Sequence, residues 1–316
     1  MRVLLTGATG FIGSHLARLL VSEDCEVYAV VRESSDLWRI SDVVPQLHLV
    51  RCDLLAFDKL NAHLEEIQPA LCIHLAWYAV PGKYPTSLEN LSLLNASLHL
   101  ASRLASLGCK RFVGVGTCFE YDTSLGYLSE TSLTRPRNLY AASKLALQVV
   151  LEQIADITGL EVAWLRLFYQ YGPFEDGQRL VPSVICSLLR NQMVSVTKGE
   201  QIRDFLHVED VATAIWAVAQ SNVSGPVNIG SGQPVAVRDI VTKIGAILNR
   251  PELIALGALP YSASDPMFIC ANIHRLTENT TWVPRYDLEQ GLHHTVEWWQ
   301  AYLSDSLEPK LIAGRS

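Results

Sequence analysis

Long hydrophobic runs are missing from this chain: no stretch approaches the roughly 20 apolar residues that a membrane-spanning helix needs. A basic excess is missing too. Lys and Arg number 25 against 32 Asp and Glu, for a net charge of −7, and there is no basic run or basic–aromatic stripe. Nucleic acid and anionic membranes are therefore not expected partners. Paired cysteine motifs are absent. The seven cysteines, at 25, 52, 72, 109, 118, 186 and 270, are odd in number, scattered and without a C-x-x-C. They read as free thiols in a reducing compartment. The opening MRVLLTG has no charged start followed by a long apolar segment and a cleavage site, so a cytoplasmic location is expected. The nine histidines show no metal-ligand spacing, so no metal site is expected, and His293-His294 reads as solvated on a polar helix.

What is present is the makeup of a globular enzyme: 316 residues, 49% hydrophobic and 18% charged. Short β-rich runs alternate with helical patterns. VLLTG (3–7), EVYAVV (26–31), LHLVRCDL (47–54), ALCIHLA (70–76), RFVGVGT (111–117) and EVAWLRLF (161–168) read as strands, with long helices over 86–108 and 138–158. This alternation predicts an α/β fold with a doubly wound parallel sheet of about seven strands. After Gly172-Pro173 the loops lengthen and prolines accumulate. Residues 1–172 are thus expected to form a first domain, 173–308 mainly a smaller α/β lobe, and 309–316 a tail. The segment around 203–225 is expected to interleave back into the first domain.

GATGFIG (7–13) lies between the first strand and the first helix. Gly7 allows a tight turn, Gly10 lets a phosphate approach the backbone, and Gly13 lets the helix pack on the strand. Free N–H groups of Gly10, Phe11, Ile12 and Gly13, with the helix dipole behind them, suit a pyrophosphate. An NAD site places Asp or Glu after the second strand, to accept from the adenosine 2′-hydroxyl. Val31 stands there instead, followed by Arg32, Ser34 and Ser35. A guanidinium and two hydroxyls suit a 2′-phosphate, so NADP(H) is expected over NAD(H).

NLYAASK (138–144) opens the helix that Pro136 cannot extend backwards. Residues four apart share a helix face, which sets Tyr140 beside Lys144. An ammonium next to a phenol favours phenolate, and such a pair could pass a proton to or from a carbonyl. Taken alone, the same pattern also fits a solvated helix face.

These pieces, in order along nearly the whole chain, resemble the extended short-chain dehydrogenase/reductase family in its nucleotide-sugar branch. The matching segments are GATGFIG, Asp53-Leu54, HLA (74–76), Asn95, Thr117, YAASK, Tyr171-Gly172-Pro173 and RDFLHVED (203–210). The resemblance implies a Rossmann-type fold with a substrate lobe and a homodimer paired through the helices at 86–108 and 138–158. It also implies that Asp53 and Leu54 border the adenine and Ala76 the middle of the cofactor. Thr117, Tyr140 and Lys144 would be catalytic, supported by Asn95. The lysine would lower the tyrosine's pKa and hold the nicotinamide ribose, and Arg203 would grip a substrate diphosphate.

Departures narrow the chemistry. The Asp–Glu pair that follows the threonine in dTDP-glucose 4,6-dehydratases is Cys118-Phe119 here. The cysteine and histidine with which GDP-fucose synthases epimerise correspond to Phe119 and Phe174. Tyr169 replaces the usual Asn at a substrate contact, and LPYSAS before Asp265 supplies no second diphosphate-binding arginine. What remains is NADPH-dependent reduction of a nucleotide-activated 4-keto (6-deoxy) sugar. Nucleotide-sugar 4-epimerisation is the alternative, and a reductase of small ketones or a non-catalytic NADP-binding regulator stand further off.

Overall fold

The structure, a computed structural model, describes residues 1–262 and 265–304. The expected tail at 309–316 lies outside the described residues. So do the last two residues of LPYSAS.

Five strands and three helices alternate first: β1 (Arg2–Thr6), α1 (Phe11–Ser22), β2 (Glu26–Val31), β3 (His48–Arg51), α2 (Phe57–Ile67), β4 (Leu71–His74), α3 (Glu89–Ser106) and β5 (Arg111–Thr117). After β6 (Tyr127–Leu128) come α4 (Leu139–Thr158), β7 (Glu161–Leu167), β8 (Tyr169–Tyr171), α5 (Leu180–Leu189), β9 (Val194–Val196), β10 (Ile202–His207) and α6 (Val208–Gln220). The remainder is β11 (Gly225–Ile229), β12 (Pro234–Ala236), α7 (Val237–Ile247), β13 (Ile254–Leu256), β14 (Cys270–Ala271), α8 (His274–Asn279) and α9 (Leu288–Ser304).

Seven strands form one parallel sheet in the order β11-β7-β5-β4-β1-β2-β3. Its alternating side chains fill two cores, as a sheet covered on both faces requires. On one face Val3 and Leu5 meet Leu16 and Leu20 of α1 and Val211 and Ile215 of α6. On the other Leu4, Cys72 and Phe112 meet Leu60 of α2, Leu100 of α3 and Leu147 of α4. A third core joins α5, α7 and α9 through Ile185, Ile244 and Trp299. Strands β12-β10-β8 form a small sheet beside it.

The chain direction of strand addition reverses between β1 and β4. In such sheets the crevice at the carboxyl ends of the two strands is where ligands bind. Asn138 caps α4 by accepting the Ala141 N–H at 2.9 Å, and that fixes where the YAASK helix starts.

Candidate active site

The glycines behave as their spacing predicts. Gly7 has φ 78°, and a Cβ there would lie 2.8 Å from the Ala76 nitrogen, so the β1 and β4 loops touch backbone to backbone. A Cβ on Gly13 would fall 2.0 Å from the Gly7 carbonyl oxygen. No side chain caps α1 at Gly10, which leaves its first N–H groups to face the crevice. This cradle fits a dinucleotide pyrophosphate.

From it opens a cleft of about 1210 Å³, lined from Gly7 to Asp265. That exceeds the usual ~300–1,000 Å³ of a pocket for one small ligand and leaves room for a dinucleotide and a second molecule. Gly10, Phe11, Ile12, Arg32, Ser35, Asp53, Leu54, Ala76, Thr117, Tyr140, Lys144, Tyr169 and Arg203 all line it. Ser34 is exposed and outside the lining, and Ser35 Oγ accepts the Arg32 N–H at 3.0 Å. Arg39, unforeseen in the sequence, lines the same end.

Thr117 closes β5 and lines the cleft together with Tyr140. Behind it Glu120, wholly buried, takes the Thr117 N–H at 2.8 Å, the Arg166 Nε at 2.7 Å and the Trp164 indole N–H at 3.1 Å. Gly116 is required for this fit, since a Cβ would come within 2.2 Å of the Glu120 carboxylate. Burial raises the Glu120 carboxyl above its usual range, and Arg166 and the N–H donors oppose that. The Thr-x-x-Glu spacing is the signature of a capping box and could have revealed Glu120 in the sequence.

Lys144 corrects one expectation. Its ammonium donates to the Val115 carbonyl at 2.7 Å and lies 3.7 Å above the Trp77 ring. Burial lowers it to about 7. Burial also raises the Tyr140 phenol well above its ordinary value; Tyr84 and Glu120 add to this, and the Thr117 hydrogen bond opposes it. The lysine therefore does not hold the tyrosine as phenolate in the free protein, because burial outweighs the helix neighbour.

Asn95 corrects another. It is exposed on α3 and does not line the cleft. The inward polar groups of α3 are Asn90, which accepts from the Trp77 indole at 2.8 Å, and Ser97, 2.8 Å from His74. His74 also meets Thr6 Oγ1 at 2.8 Å, tying β1 to β4. Neither Cys118 nor Phe119 adds an acid; burial pushes the Cys118 thiol up to about 12.

Arg203, 4% exposed, holds Asp265 at 2.6 Å, and Gln201 takes the other carboxylate oxygen at 3.0 Å. His294 is half-buried rather than solvated, its Nδ1 3.3 Å from His207 Nε2. Glu209 lies with them, all ligand atoms within 4.8 Å, so the fold gathers a cluster that sequence spacing concealed. The Glu209 N–H points at His207 Nδ1. That places the His207 proton on Nε2, toward His294, and makes the cluster a hydrogen-bonded helix cap rather than a ligand set with free lone pairs.

A glycine cradle at a sheet reversal, opening on a Thr–Tyr–Lys set, defines a dinucleotide-dependent enzyme of the extended short-chain dehydrogenase type. Residues 3–230 match the model of the NAD dependent epimerase/dehydratase family, and the chain belongs to that family. It is similar to the dTDP-4-dehydro-6-deoxy-D-allose reductase of Streptomyces bikiniensis, 25% identical across 94% of this chain and 96% of that one. The structure of MoeE5 in complex with UDP-glucose and NAD superposes with a TM-score of 0.81 at 30% identity, over 96% of this chain and all of that one. The UDP-glucose 4-epimerase of Thermotoga maritima, 24% identical over 96% of this chain and its own full length, shares the fold with a TM-score of 0.88. Among the described residues no helix is long and apolar enough to cross a membrane.

Proposed function

We propose that the protein reduces a nucleotide-activated 4-keto sugar, with NADPH as the cofactor. The observation that supports this best is the shared cleft. Thr117, Tyr140 and Arg203 line a single volume, as a substrate with a ketone and a diphosphate would require. The cofactor supplies hydride when bound. The Tyr140 phenol, held protonated by burial, gives its proton to the developing alkoxide while the Thr117 hydroxyl steadies that oxygen. Arg32 and Ser35 line the cleft, and the exposed Arg32 guanidinium suits a 2′-phosphate. In solution the protein pairs as a homodimer through α3 and α4, whose exposed Leu91, Val149, Val150 and Ile157 form the apolar surface such pairing would cover.

One observation favours the second reading, a 4-epimerase with retained NAD: the relative at 30% identity was solved with NAD. Stoichiometry with a 4-keto-6-deoxy nucleotide sugar separates the two. One NADPH oxidised per product is the expected result. Sugar interconversion with no net change in added cofactor would overturn reduction. A thermal-shift screen of nucleoside diphosphates names the base; no shift from any of them would favour a small-ketone substrate. Light scattering that finds a stable monomer at micromolar concentration would remove the dimer.

A further inference from the structure

After β8 a strained residue and a stranded carboxyl stand side by side. Phe174 has φ 68°, in the left-handed region that bulky side chains rarely enter. Its ring is packed against Trp298 at 4.9 Å, His15 at 5.5 Å and Trp38 at 5.6 Å, with the Arg18 guanidinium 4.7 Å above it. Arg39 Nε also donates to the Phe174 carbonyl at 3.0 Å. The ring is thus drawn away from the cleft, and the next residue, Glu175, lines it instead. Backbone strain persists where the surroundings over-determine it and clusters at ligand sites.

Glu175 is 7% exposed, and among the described residues its Oε2 has no hydrogen-bond partner. Burial lifts the carboxyl well above its usual range; Arg179 and the Gly172 N–H oppose this, and Asp176 adds to it. A partnerless buried oxygen is costly to the free protein, and the cost is recovered when a ligand brings a donor. Position says which ligand. Arg179, which shares the field of Glu175, lies 5.6 Å above the Tyr84 ring, and Tyr84 meets Tyr140 edge-on at 4.8 Å. Glu175 lines the same cleft as Arg179, Tyr84 and Tyr140.

We propose that Glu175 is a substrate-contacting residue whose free carboxyl oxygen accepts a hydroxyl or ammonium donor of the nucleotide-linked sugar. This rests on the nucleotide-sugar reading above. It is tested by calorimetric titration with UDP-, dTDP-, CDP- and GDP-glucose, each beside its bare nucleoside diphosphate, so that the difference isolates what the sugar adds. Wild-type protein should bind one sugar nucleotide about tenfold or more tightly than its diphosphate, a difference of ~1.4 kcal/mol. Glu175→Gln and Glu175→Ala should lose most of that increment and keep diphosphate and NADPH affinity. A ligand donor at Oε2 would favour the ionised carboxyl; the amide retains an acceptor for Gly172 but sets an NH2 where that ionised oxygen would accept, so donor meets donor. A larger loss with the 2-amino-2-deoxy sugar identifies an ammonium as the donor; an equal or smaller loss identifies a hydroxyl. Without ligand, Glu175→Ala should melt no lower than wild type, whereas a packing role would lower it. An unchanged sugar increment in both variants, no increment in wild type, or a loss confined to NADPH overturns the proposal. If wild type binds no diphosphate at all, the nucleotide-sugar reading itself has failed.

Discussion

Two buried arginines have opposite surroundings. Arg166 lies behind Thr117 with its side chain 2% exposed and its partner Glu120 fully enclosed; Gln148 accepts a second bond at 2.7 Å, and the Tyr121 ring stacks at 4.2 Å. Arg203 is nearly as buried, but its partner Asp265 is 33% exposed and both line the cleft. The bonds that the first pair makes all go to scaffold and hold the end of β5 in place. The second can exchange partners. Burial of a charge alone therefore says little about its role; what the partner faces decides it.

That contrast can be broken in several ways. The largest effect belongs to the cleft: Tyr140→Phe should lower turnover by about 10²–10⁴-fold while cofactor binding and melting temperature hold. Loss of cofactor binding would instead make the tyrosine a docking residue. On the scaffold side, Glu120→Ala leaves the Arg166 charge buried and unpaired and should cost about 3–5 kcal/mol of stability, read by denaturant unfolding. A cost below about 1 kcal/mol, typical of exposed pairs, would erase the distinction between the two arginines. Arg203→Ala should weaken binding of the nucleoside diphosphate by about 10–100-fold, for charged hydrogen bonds of ~1.5–3 kcal/mol, with a smaller stability loss than Glu120→Ala.

Lys144 gives a pH test. Its folded pKa, about 7, is below its ordinary 10.5, so between those values the unfolded chain binds more protons and stability rises with pH. The penalty for the buried charge is full below pH 7 and gone above 10.5. Lys144→Met should thus raise the melting temperature of the free protein most at about pH 6 and progressively less toward about pH 10. A pH-independent difference would mean that Trp77 and Val115 already match the charge. The smallest effect is Arg32→Ala, an exposed cation worth about 1 kcal/mol: NADPH should bind roughly fivefold more weakly and NADH unchanged. Equal losses for both cofactors would leave 2′-phosphate recognition without support.

The parts legible in the sequence are those whose geometry is local. Gly7 and Gly13 sit six residues apart in one turn, and Tyr140 and Lys144 share one helix face, so spacing alone places them. The seven-stranded sheet follows from alternating strands and helices, although its edge strand β11, embedded in the proline-rich half, was not individually readable. Asn95 failed on helix phase: the 18 residues of α3 carry polar groups on several faces, and only packing shows that Asn90 and Ser97 turn inward. Glu175 was hidden by the left-handed Phe174, which shifts by one residue the side chain that reaches the cleft. Asp265 meets Arg203 across 62 positions, and the Trp77 stack on Lys144 crosses 67. No local pattern announces either contact.

The Arg203–Asp265 pair also bears on how quickly the enzyme could let go. A diphosphate arriving at Arg203 would displace a carboxylate already tethered there, so one anion leaves as another enters. Releasing Asp265 would offset part of the attraction, so a diphosphate should bind more weakly than at an open arginine. The tethered carboxylate competes at the effective concentration of an intramolecular group, on the order of millimolar or above, and it is always at hand when a product loosens. Residence time would thereby be shortened. An enzyme that must clear its product every cycle gains throughput from a competitor built into its own chain.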